Sequence, residues 1–85
     1  MTAAEAFSGR FQELSRTNPP DLMKHLSDVE RTAVKKDCLE DSQGTVRTSA
    51  KKVYEFTFQD GSRLHVVMVR RHRDRYRWTD ARIIN

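Results

Sequence analysis

The side chains with the widest chemical reach in this 85-residue chain crowd into its last third: Arg63, His65, Arg71, Arg73, Arg75 and Arg77. An imidazole takes up and releases a proton near neutral pH. A guanidinium presents a rigid fork of donors to a phosphate or a carboxylate. A surface holding both can bind a polyanion or pair with an acidic protein. It can also cleave RNA, with His65 as acid/base and arginine stabilising a phosphorane-like charge. All three require these residues to share one surface, and that depends on the register of the strands that carry them.

Lys52-Val-Tyr-Glu-Phe-Thr-Phe58 alternates aromatics at Tyr54, Phe56 and Phe58 with Val53, Glu55 and Thr57, the period of a half-buried strand. Arg63-Leu-His-Val-Val-Met-Val-Arg70 follows after Gln59-Asp-Gly-Ser62. Asp-Gly between two such runs signals a hairpin, and its loop length sets the faces, because a one-residue slip inverts a strand. A two-residue loop, Asp60-Gly61, would place Phe56 opposite His65. A three-residue loop, Gln59-Asp60-Gly61, places Phe56 opposite Leu64 and Tyr54 opposite Val66. It gathers Tyr54, Phe56, Phe58, Leu64, Val66 and Met68 on one face, with Gly61 where a type I turn with a G1 bulge needs it. We adopt the three-residue loop. A third run begins at Tyr76-Arg-Trp-Thr79 and continues to Ile84, with Tyr76 and Trp78 in core parity and Arg75, Arg77 and Thr79 facing away.

That register sends Arg63, His65, Val67, Val69 and Arg71 outward from the middle strand, beside Arg75 and Arg77. Arg73 lies in the connection His72-Arg-Asp-Arg75. Residues 50–85 hold nine Lys/Arg against four Asp/Glu, net +5, and residues 1–49 hold seven against eight, net −1. A solvated face accounts for polar residues on one side of an antiparallel sheet. Two features point further: Glu55 is the one clear acid expected on that face, and Val67 and Val69 sit among the arginines.

Two or three N-terminal helices are expected to cover the aromatic face. Thr2-Ala-Ala-Glu5 is a capping box, and Phe7, Phe11 and Leu14 recur at helical spacing to about Arg16. Asn18-Pro19-Pro20 breaks the chain, with Pro20 suited to a first helical position. Leu22, Leu26, Val29 and Ala33 continue at helical spacing, and Lys35-Lys36 suit a helix C-terminus. Ser27-Asp-Val-Glu30 repeats the capping-box pattern, so this segment reads as one helix or as two. The expected fold is one α+β domain over residues 1–85: helices about 2–37, a loop 38–50, and a three-stranded antiparallel meander 51–84.

Hydrophobic content of 36% against 33% charge makes the chain polar for its size, while periodic aromatics argue for folding. Cys38 is the single cysteine, which excludes an intrachain disulfide and a cysteine metal cluster and suits a reducing cytosol. No stretch approaches the roughly 20 apolar residues of a membrane span, so a cytoplasmic setting is expected. His25, His65 and His72 lack metal-ligand spacing, and His25 reads as solvated on a polar helix face. No phosphate loop or catalytic triad is visible, and no cofactor or metal is expected.

The order of helices followed by a meander resembles RelE-type ribonuclease toxins in architecture alone, without a shared motif or that family's initial strand. The resemblance implies a ribonuclease, which joins the reading of His65 as acid/base given above. Very small, single-cysteine, motif-free chains also resemble the adaptors and inhibitors of phages and mobile elements. The sequence favours a non-catalytic binding protein whose outward residues Arg63, His65, Val67, Val69, Arg71, Arg73, Arg75 and Arg77 meet an acidic protein or nucleoprotein. The alternative is direct binding of DNA or RNA.

Overall fold

The computed structural model describes residues 1–14, 19–44, 50–70 and 77–84; at Pro19, Pro20, Arg70 and 77–80 the description is of the backbone. Two helices, α1 (Ala3–Leu14) and α2 (Pro19–Thr32), precede four strands: β1 (Lys35–Ser42), β2 (Ala50–Thr57), β3 (Arg63–Arg70) and β4 (Arg77–Ile84). The strands form one antiparallel sheet in sequence order, β1-β2-β3-β4.

The β2–β3 hairpin has the three-residue loop. Phe58 and Ser62 close it through a 2.9 Å bond from the Phe58 N–H to the Ser62 carbonyl, and the Gly61 N–H returns to the Phe58 carbonyl at 2.9 Å. Gly61 has φ +84°, a conformation that costs glycine nothing and a β-carbon a good deal. Tyr54 therefore pairs with Val66 and Phe56 with Leu64. Phe56, Phe58, Leu64, Val66 and Met68 are buried, and Tyr54 packs at the margin of the core.

The same turn anchors the first helix. Asp60 Oδ2 accepts the Ala3 N–H at 2.8 Å, and Ser62 Oγ accepts the Ala4 N–H at 3.1 Å. Thr2 Oγ1 accepts the Glu5 N–H at 3.1 Å, as the capping box requires. Three helix-start donors are thus satisfied, two of them by a hairpin almost sixty residues away. Ala4, Phe11 and Leu14 of α1 and Leu22, Leu26 and Val29 of α2 complete the core.

Of the two readings open for the segment from Pro20, the structure has the single helix, without a break at Ser27, whose hydroxyl donates to the Met23 carbonyl at 3.1 Å. Three expectations change. The helical part ends at Thr32, so Lys35 and Lys36 do not cap a helix but open β1. Residues 38–42, expected in a loop, belong to that strand, which makes the sheet four-stranded. His25 is buried at the helix–helix contact and not solvated: its Nε2 donates to the Phe7 carbonyl at 3.1 Å. The ring meets Phe11 edge-on at 4.4 Å and Phe7 at 5.4 Å. Residues 15–18, 45–49 and 71–76 lie outside the described residues.

Phe56 has no exposed surface, so Phe56→Ala should cost about 3–5 kcal/mol. That is comparable with the stability of a small domain, on the order of 5 kcal/mol, and denaturant titration should find the variant largely unfolded in water. Asp60 gives a pH signature. Its carboxyl is held below the ordinary 3.8, first by the Ser62 hydroxyl and then by the Ala3 and Ser62 N–H groups. The native state favours the ionised form, so this stabilisation is complete above the ordinary value and lost as pH falls through the lowered one. Acid titration of the wild type and Asp60→Asn should show the variant less stable at neutral pH, with the two curves converging in strong acid.

Candidate functional site: the outer sheet face and its arginine-rich end

The helices cover one face of the sheet and leave the other as a surface of four cross-strand rows. The first is Lys35–Thr57–Arg63–Ile84, and the second Asp37–Glu55–His65–Arg82. The third is Glu40–Val53–Val67–Asp80, and the fourth Ser42–Lys51–Val69–Arg77. Two bulges keep the rows in line, at Leu39 in β1 and at Thr79 in β4. A bulge inserts one residue and so switches the parity of everything beyond it.

Arg63, His65, Val67 and Val69 occupy consecutive outer positions of β3, as the alternation predicts, and Arg77 takes the register position beside Val69. Arg71, Arg73 and Arg75 lie outside the described residues. His65 stands between Glu55 and Arg82, not Arg77.

The expectation of a face with a single acid is corrected. β1 contributes Asp37 and Glu40, and the Thr79 bulge sets Asp80 opposite Val67. Much of the charge is matched in place. Arg63 Nη1 donates to Glu55 Oε1 at 3.1 Å, Lys51 Nζ lies 3.4 Å from Glu40, and Lys35 Nζ lies 3.7 Å from Asp37. Each such exposed pair contributes about 0–1 kcal/mol, so they matter for the sign of the surface more than for stability.

Two features remain on this side. One is apolar: Val53 is buried to 6% exposure although it points away from the helices, and Val67 and Val69 adjoin it half-buried. The other is cationic. Residues 70–77 contain five arginines and one acid, Asp74. The ends of that stretch are fixed where β3 stops and β4 begins, because Ala50 pairs with Arg70 and Val69 with both Lys51 and Arg77. The positive excess is a property of the sequence joining β3 to β4, and the described outer face itself is mixed in sign. Two basic residues that the sequence reading did not single out also face this side: Lys51, in the row where β3 stops and paired with Glu40, and Arg82, two rows away beside His65. Lys51 was legible from the parity of Val53, whereas Arg82 was hidden by the bulge.

Among the described residues no three His, Cys, Asp or Glu side chains are placed to hold a metal ion, and no helix is long and apolar enough to cross a membrane. No protein-family model matches the chain, and neither curated proteins nor solved structures give a match.

Neighbouring valines test the two faces directly. Val66→Asp should abolish cooperative unfolding, because it buries an unpaired carboxylate among Phe56, Leu64 and Met68. Val67→Asp, one residue on, should keep a cooperative melt at a lowered midpoint, because the new carboxylate stands at the surface but in the row of Asp80 and Glu40.

Proposed function

We propose that this protein is a small, non-catalytic binding protein of regulatory type. It grips an acidic protein or nucleoprotein partner through the arginine-rich end of its sheet and the adjoining valines. The observation that carries this reading is the uneven distribution of charge along the chain. Lys35, Lys51 and Arg63 have acids of their own beside them, while five arginines in residues 70–77 share a stretch with one acid. Arginine suits such a role because its fork pairs with carboxylates and its stem packs against apolar neighbours. Val67 and Val69 are half-buried, lie at the same end of the strand, and supply the apolar contact that an interface centre needs. No described aromatic lies on the outer face, which weighs against stacking of single-stranded bases.

The test replaces Arg71, Arg75 and Arg77 together by alanine. The fold should survive, since none of the three belongs to the described core, and capture of the partner from lysate should be lost. Nuclease treatment separates the ligand classes. A protein partner should survive it, bind with shallow salt dependence, and be lost on Val67→Asp as fully as on removal of the arginines. A nucleic-acid ligand would disappear with nuclease and show a log–log salt slope of about −0.9 per phosphate contact on duplex DNA. RNA cleavage abolished by His65→Ala with RNA binding intact would replace this reading by a ribonuclease. Unchanged binding by the triple variant would remove the site from this end of the sheet.

A further inference from the structure

The sheet has two edges, and they are guarded differently. β1 carries Lys35, Lys36, Asp37, Glu40 and Asp41 among eight residues, seven of them exposed, and a bulge interrupts it. Charges and bulges of this kind keep an edge from pairing with another chain. Beyond its own bulge, β4 ends Asp80-Ala-Arg-Ile-Ile84, with Ile83 exposed to 41% on the helix side, beside α1. Among the described residues nothing pairs with the outer side of this strand.

Its charges are self-complementary. In an antiparallel pair the residues directly opposite share a face, so a strand meets a second copy of itself only in registers centred on a residue. A register centred on Asp80 sets two carboxylates together on the axis, and one centred on Arg82 sets two guanidinium groups together. Centring on Ala81 puts Asp80 opposite Arg82 twice, with the two small alanines on the axis. Ile83 of each copy then becomes the diagonal neighbour of the other's Ala81, which covers apolar surface that the monomer leaves in water. Arg82 already takes part in an interaction within its own chain. Its five donors allow a second carboxylate without loss of the first.

We propose that β4 pairs antiparallel with β4 of a second copy about Ala81, joining two four-stranded sheets into one of eight strands. The Thr79 bulges end the regular ladder on either side of the three central pairs, so the association is concentration-dependent. In that dimer the two Arg77 residues are separated by about 25 Å along the shared strands. The arginine-rich ends therefore face opposite directions and can engage two sites at once. The dimer does not depend on the function proposed above.

Sedimentation equilibrium up to about 1 mM protein tests it, since specific association weaker than that is not useful. The weight-average mass of the wild type should climb from 10.0 kDa towards twice that value. Asp80→Arg alone and Arg82→Asp alone each set like charges across the axis twice and should weaken association at least tenfold. The double exchange restores both pairs and should recover the dimer, with circular dichroism confirming the fold of every variant. A wild type that stays at its monomer mass, single exchanges that dimerise as the wild type does, or a double exchange that remains monomeric while folded would each overturn the proposal.

Discussion

The three-residue turn Gln59-Asp60-Gly61 is the constraint on which the rest of the molecule depends. Gly61 supplies the left-handed φ that closes the loop, and this sets which residues of β2 and β3 face each other. One residue fewer would send Leu64, Val66 and Met68 to the side of Glu55 and Thr57, leaving neither face able to form a core. The same turn presents the Asp60 carboxylate and the Ser62 hydroxyl to the first N–H groups of α1. An anion at a helix N-terminus also complements the helix dipole. One short loop thus sets strand register and fastens the helical layer over the face that the register creates.

The edge strands then decide what the exposed face becomes. β1 has no alternation of apolar and polar residues because both its faces meet water, so its charges answer to edge protection and not to a core. In placing Asp37 and Glu40 beside β2 it neutralises much of a surface that β2 and β3 alone would make basic. Lys36 ties this edge to the helices, with Nζ 3.1 Å from Glu30 and 4.4 Å from the centre of the Tyr54 ring. The bulge in β4 does the equivalent on the far side by turning Asp80 and Arg82 into outer-face positions.

Legibility followed the strength of each physical constraint. The hairpin register, the buried set Phe56, Phe58, Leu64, Val66 and Met68, and the start of α1 were readable, because periodicity and turn chemistry agree there. The outer positions of Arg63, His65, Val67 and Val69 came with them. β1 was not readable: Lys35-Lys36 is equally good at a helix end and on an edge strand, and nothing apolar marks Lys35–Ser42 as sheet. The parity of β4 beyond Trp78 was hidden for another reason, since a bulge inserts a residue without a glycine or proline to announce it. His25 escaped because its neighbours in sequence are polar, while the carbonyl and rings that hold it belong to α1.

The matched charges of the described face disfavour one direction of approach. An anion arriving over the middle of the outer face meets Glu55, Glu40 and Asp37 as well as their basic partners, and must break those pairs or tolerate the acids. Breaking one exposed pair costs little, about 1 kcal/mol or less, but each freed carboxylate then repels the ligand at short range. In the sequence that joins β3 to β4, the arginines of 70–77 outnumber the acid, and Lys51 on the neighbouring strand is already paired with Glu40. At physiological salt, charges beyond about 8 Å are largely screened, so Asp37 and Glu55, two rows from Val69, weigh little there, whereas Glu40 adjoins Lys51. Val67 and Val69 lie on the route from the end of β3 to the middle of the sheet. On the function proposed above, a partner with carboxylates beside an apolar contact would meet both surfaces without disturbing the ion pairs beyond them.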